Sequence, residues 1–469
     1  SDSLDRDAPG LVAAVCARDH WDEMDQAERQ WSVNELVSAI RQDSECYAHE
    51  VRVSINSGHA SRPSAQILPF VLTFQLDEEV HEQVREAIVL ALTHPCEEVV
   101  AYAAAGIGAY LSKKQPAFVL SCVRALAVQA CRIQQLMSAQ AEIPFVSRLP
   151  CEQLECQVRP QVVKIALSDS PCSRDDLLTM DLDEWPGRRA MSTILVILQR
   201  CHDNPLARDA FELVVSAIDR WWRENSDRTA RYSYGDRLVA NKYLGQLAEF
   251  CLRLTPSDAL ALCDPIVDAV DSCSDDVASF IKQLIFAADR HEEVASFWTL
   301  WQAFARRIAV ASWLDNLDTL YRNSDSLLSA MFLGDDWKEG VRHWRCLDGF
   351  SHLLDQFFQT LPPKPTIFRY YAIFLNDIGQ QSLPQAFVVL SRRLHAGNTQ
   401  HILSNQVVVF SLESLLRRHV YSRPAELKAR QDLRDAVLYL LDELVTAGSS
   451  AAYHMRDDFV TPGSSNVCS

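Results

Sequence analysis

Between Glu79 and Leu111 the sequence lays down one pattern twice, and that pattern leaves few folds open. Val80, Val84, Ala87, Ile88, Ala91 and Leu92 recur at the three/four spacing of a helix face, and Val99, Val100, Ala103, Ala104, Ile107 and Leu111 repeat it. Each stretch predicts an α-helix that buries one side. Pro95 stands between them. Its ring lacks the amide donor and clashes with the preceding turn, so the chain has to reverse near His94-Pro95. Two antiparallel helices result, and pairs of this kind, about 40 residues each, bury their faces only by stacking on further pairs. Nothing catalytic sits between the two stretches, so the segment predicts an interaction scaffold rather than a reaction centre.

The expected fold class is therefore all-α, a HEAT-like α-solenoid of stacked antiparallel helix pairs. No segment shows sustained strand alternation. Val407-Val408-Val409-Phe410 is β-rich in composition, yet it runs into Leu412, Leu415 and Leu416 at helical spacing and reads as helix. Five regions follow from composition: an N-terminal helical segment and linker (1–64), with its loop at Asn56 to Ser64 and helices resuming at Ala65; HEAT-like repeats (65–143); an irregular insertion or short helices (144–188), where prolines cluster and periodicity weakens; further repeats (189–330); and a C-terminal helical region with basic faces and a terminal tail (331–469). The insertion is the expected internal boundary. Asn204-Pro205 and Thr255-Pro256 mark helix starts, and Ser382-Leu383-Pro384-Gln385 matches a capping box. A last long helix is expected from Pro424 to about Thr446, ending at Gly448.

Composition narrows the function classes. The chain has 469 residues, 48% hydrophobic and 23% charged, and no uninterrupted apolar run approaches the roughly 20 residues that cross a bilayer, so no membrane role is expected. Ser1-Asp2-Ser3-Leu4-Asp5 lacks an initiating Met and a signal pattern, and reads as a fragment or processed product. The 14 cysteines are scattered without a C-x-x-C pair, several of them (Cys122, Cys131, Cys201, Cys251) on apolar stripes. Free thiols in a reducing, cytoplasmic compartment are expected, and zinc is not. Residues 331–469 carry 14 basic and 14 acidic side chains, so the whole net charge of −17 lies in 1–330. That acidity repels phosphate backbones and argues against nucleic acid as the partner, although the neutral C-terminal third leaves a local nucleic-acid-sensing alternative open.

No phosphate-binding loop G-x-x-x-x-G-K-[ST], no G-x-S-x-G elbow and no H-E-x-x-H is present, and His291-Glu292-Glu293 lacks a second histidine. Gly106-Ile107-Gly108 falls within a helical pattern and reads as close helix packing. No catalytic residue, metal ligand or cofactor is assigned, and an enzyme would need a site assembled only in the fold. The candidate binding residues lie near the C-terminus. Trp337, Val341 and Trp344 form one helical face, and Lys338, Arg342 and Arg345 form another, which reads either as a solvated basic side or as a cationic stripe for an acidic partner. Arg417-Arg418-His419 closes one helix, where the dipole alone explains positive charge. Lys428 and Arg430, followed by Arg434, fall early in the next helix, where the dipole disfavours them, so another interaction is expected to compensate. The segment from Gly448 to Pro462 reads as a docked tail or as a contact with another module.

Leu92-Thr93-His94-Pro95 with Glu97-Glu98-Val99, the Trp337 to Trp344 motif, Ser382-Leu383-Pro384, Glu413 to Pro424 with Glu426-Leu427-Lys428, and the terminal segment together resemble the C-terminal helical region of large bacterial ATP-binding proteins, similar to STAND-type NTPases of antiphage defence. The resemblance spans about 65–462 and is densest after 330. It implies a sensor region that meets a protein partner, such as a phage protein or an associated ATPase or effector module, with the ATPase upstream or on another chain. It carries over no catalytic residue.

Overall fold

The computed structural model describes residues 62–73, 78–94, 97–226, 234–272, 274–288, 294–317, 322–333, 350–378 and 385–460. Among them are 21 α-helices and no strand, so the protein is all-α. The expected helices of 1–54, Pro95 and the capping box starting at Ser382 lie outside the described residues.

The first described helices are α1 (Arg62–Val71), α2 (Glu78–Leu92) and α3 (Glu97–Gly106), the last running on through a π turn at Ile107–Leu111. α1 begins three residues before the predicted Ala65, with Pro63 in its first turn, where a missing donor costs nothing. The predicted stripe residues from Val84 to Leu111 are all buried, and the side chain of Val80 lies outside the described residues. Gly108 is a packing glycine, as its place in the pattern predicts. A Cβ there would stand 2.9 Å from the Ile197 carbonyl oxygen and 3.2 Å from that of Val196, so only hydrogen fits.

Residues 144–188 are less irregular than expected. α4 (Pro116–Gln140) turns through a loop into α5 (Cys151–Ala166), a helix of ordinary length with Pro160 inside it, which packs along α4. The short α6 (Arg174–Leu178) is closed by a capping box between Ser173 and Asp176, and α7 (Trp185–Leu198) returns onto α3 and α4. α4 is long and apolar enough to cross a membrane, but 56% of its apolar window is buried against these neighbours.

The described residues form two compact units. The first holds those up to Ala217 with Tyr234–Phe250, and the second those from Ile218 and from Cys251 onward. The division thus falls inside α8 (Pro205–Ser226) and at the end of α9 (Tyr234–Cys251), not at the predicted 144–188, because α5 and α7 are bound to α4 by extensive packing. Both proline-marked helix starts hold: Asn204 Oδ1 accepts from the Leu206 amide at 2.9 Å, and Thr255 Oγ1 from the Asp258 amide at 3.2 Å.

In the second unit the helices are α10 (Pro256–Asp268), α11 (Ser274–Ala288), α12 (Ala295–Ala309), α13 (Arg322–Leu333), α14 (Phe350–Thr360), α15 (Pro365–Ile378), α16 (Gln385–Ala396), α17 (Thr399–Leu403), α18 (Gln406–Ser422), α19 (Pro424–Ala429), α20 (Gln431–Thr446) and α21 (Ser450–Val460). Alternate helices lie against one another in two series: α10, α12, α14, α16 and α20 in one, α11, α13, α15, α18 and α21 in the other. Val407 to Phe410 are helical, as expected. The predicted last helix is broken: Arg430 is extended (φ −112°, ψ 126°) and separates α19 from α20. Gly448 at φ 94° ends α20, with the Gly448 amide donating to the Val445 carbonyl and the Ser449 amide to that of Leu444. The predicted tail is a helix, α21, docked on α18 and α20 through Ala452, Met455 and Phe459.

Candidate partner-binding surface of the C-terminal helices

Trp337, Lys338, Arg342, Trp344 and Arg345 lie outside the described residues. The other predicted site residues are Lys428, Arg430 and Arg434, and all three are exposed. Their setting differs from the expected one because of the break at Arg430. Lys428 is in the last turn of α19, the end of a helix that favours a cation, so the dipole does not oppose it. Its Nζ lies 5.2 Å from the ring centre of Phe459, a cation–π contact with α21. Arg430 grips Asp432 in the first turn of α20 with Nε–Oδ1 at 3.1 Å and Nη2–Oδ2 at 2.5 Å, and this guanidinium holds the Asp432 carboxyl below the usual carboxylate range. Arg434 has no ion partner among the described residues. Two of these three described cations are thus occupied within the chain.

Neighbouring cations divide in the same way. Arg418 donates through Nη1 to the carbonyl of Asn376 in the last turn of α15, where a helix leaves acceptors unmatched. His419 is buried at 1% exposure with its ring edge-on to Phe387 at 5.2 Å, and burial together with Arg423 and Arg418 lowers its pKa. Arg417 stays exposed without an ion partner among the described residues.

The feature that sequence reasoning missed is the outer stripe of α18. About half of that helix is buried, and on its solvent side Val407, Phe410, Ser414, Arg417 and Tyr421 fall along one line at helical spacing. Phe410 is 72% exposed, Tyr421 54% and Val407 47%. Tyr421 donates to Asp458 Oδ2 of α21 at 2.8 Å, which holds its ring on the surface. From Phe410 to Tyr421 the stripe covers about 16 Å of helix. A signal was present: four consecutive apolar residues, Val407 to Phe410, cover more than a full turn, so at least one must point away from any single core face.

Elsewhere, polar groups converge without forming an open site. Glu155, 6% exposed, pairs with Arg189 at 2.6 Å beside a cavity of about 30 Å³, room for about one water. Tyr371 donates to Asp355, and burial raises both pKa values. No group of three His, Cys, Asp or Glu side chains among the described residues is placed to hold a metal. No family model matches the chain, and no curated protein matches it in sequence.

Proposed function

We propose that the chain is a non-enzymatic helical-repeat module that recognises a protein partner through its C-terminal helices. The observation that carries this reading is the α18 stripe: large apolar and aromatic groups held out in water on a helix whose opposite face is buried, with Arg417 among them. The two series of alternating helices in the second unit support an arrangement of stacked helix pairs, which builds extended binding faces. The resemblance to STAND-type defence proteins extends the proposal to a cytoplasmic sensor region whose partner is a trigger protein or an associated ATPase, and the eight described cysteines, all free thiols, accord with a reducing compartment.

A photo-crosslinking residue at Phe410 tests the reading against the same residue at Glu86, an exposed position of α2. In cells, the expected result is one discrete crosslinked protein from position 410 that is absent from position 86 and is lost on Arg417→Glu. Equal or no crosslinking at the two positions would remove the stripe from recognition.

A further inference from the structure

α12 and α14 pack side by side, and Trp301 meets Phe357 edge to face with ring centres 5.6 Å apart. Beside this contact lies a groove of about 520 Å³, well inside the size range of small-molecule sites. Its origin is local. One and two turns beyond Trp301 on α12 stand Ala305 and Ala309, whose methyl groups cannot fill the space opposite Leu353 and Thr360 of α14. Val310, 73% exposed, lies at the groove as well.

Its polar lining is one-sided. Gln302, Gln356 and Thr360 offer neutral hydrogen-bonding groups, Arg306 offers a charge, and among the described residues no acidic side chain lines the groove. The adjacent arginine makes the contrast plain. Arg307 is committed to Asp271, Nη2 to Oδ2 at 2.5 Å, whereas exposed Arg306 has only Gln302 Oε1 at 3.4 Å and no ion partner among the described residues. An apolar body and a single anionic end would be matched here, and a cation would meet only repulsion. A guanidinium suits a planar carboxylate because it can donate two parallel hydrogen bonds to it.

We propose that this groove binds a small amphiphilic carboxylate, an alkyl or aryl acid whose apolar body lies on Trp301, Ala305 and Phe357 and whose carboxylate pairs with Arg306. The site is separate from the α18 stripe and does not depend on it.

Calorimetric titration of the full chain with decanoate, kept below its micellar concentration, tests this, with decyltrimethylammonium as the same tail bearing the opposite charge. One saturable site for decanoate and none for the ammonium is expected. Arg306→Gln, at an exposed position, should weaken decanoate at least tenfold, Ala309→Trp should fill the groove and abolish binding, and Arg132→Gln on α4 of the first unit should change nothing. If Ala309→Trp proves misfolded by its circular dichroism, the Arg306→Gln result decides alone. No saturable heat, equal binding of the ammonium, or unchanged affinity in Arg306→Gln would overturn the proposal, as would binding of an acidic peptide with an apolar anchor where decanoate fails.

Discussion

In the first compact unit, arginine and tyrosine side chains tie helices together from inside the fold. Arg85, 7% exposed, reaches Glu82 and Asp169 and covers the Phe118 ring at 4.5 Å; Arg189 holds Glu155; Arg159 donates to the Thr93 carbonyl and Tyr243 to that of Arg188. In the second unit the same positions of trust go to rings. Trp301 and Phe332 both touch Phe357, and Phe358 stacks on Tyr371 with centres 4.0 Å apart. The difference teaches where ligands can bind. Charges satisfied within the core leave a cavity of about 30 Å³ with nothing to offer, whereas a core closed mainly by rings leaves cations and apolar side chains for the outside.

The sharpest way to break this comparison is Arg189→Met. Removing the cation 2.6 Å from the buried Glu155 carboxylate should cost about 3 kcal/mol in urea unfolding. A loss below about 1 kcal/mol would mean that the first unit does not depend on its internal charges. A smaller effect tests the second unit, where His419 is the buried imidazole among rings. Its folded pKa lies below the ordinary 6.5, so below that pH the unfolded chain takes up a proton the folded one resists. Stability should be full above about pH 6.5 and fall as pH drops toward 5, and His419→Leu should remove that part of the slope; parallel pH profiles for the two proteins would refute the assignment. Least of all should follow from Arg430→Gln, an exposed pair in solvent, whose melting temperature is expected to match that of the parent within error.

Fold class was legible because the periodicity from Val84 to Leu111 is regular and Pro95 can be read only as a breaker. The break at Arg430 was harder to see, since neither glycine nor proline marks it. A trace remains in the spacing: Leu427 and Leu433, both buried, are six residues apart rather than seven, a slip in phase that a continuous helix would not make. The unit boundary inside α8 left no mark at all, because a helix can leave one core and join another without any change in local propensity. The groove was illegible for a related reason. Ala305 and Ala309 are good helix formers anywhere, and only the placement of α14 opposite them turns small side chains into empty volume.

Gly108 carries a consequence for how such a chain can vary across descent. With the Ile197 and Val196 carbonyls so near its missing side chain, any replacement at this position requires α7 to withdraw. Drift at Gly108 is thereby bound to drift nearly ninety residues away, and a lineage that loses this glycine should show compensating change along the α7 face before it shows any in the surrounding loops.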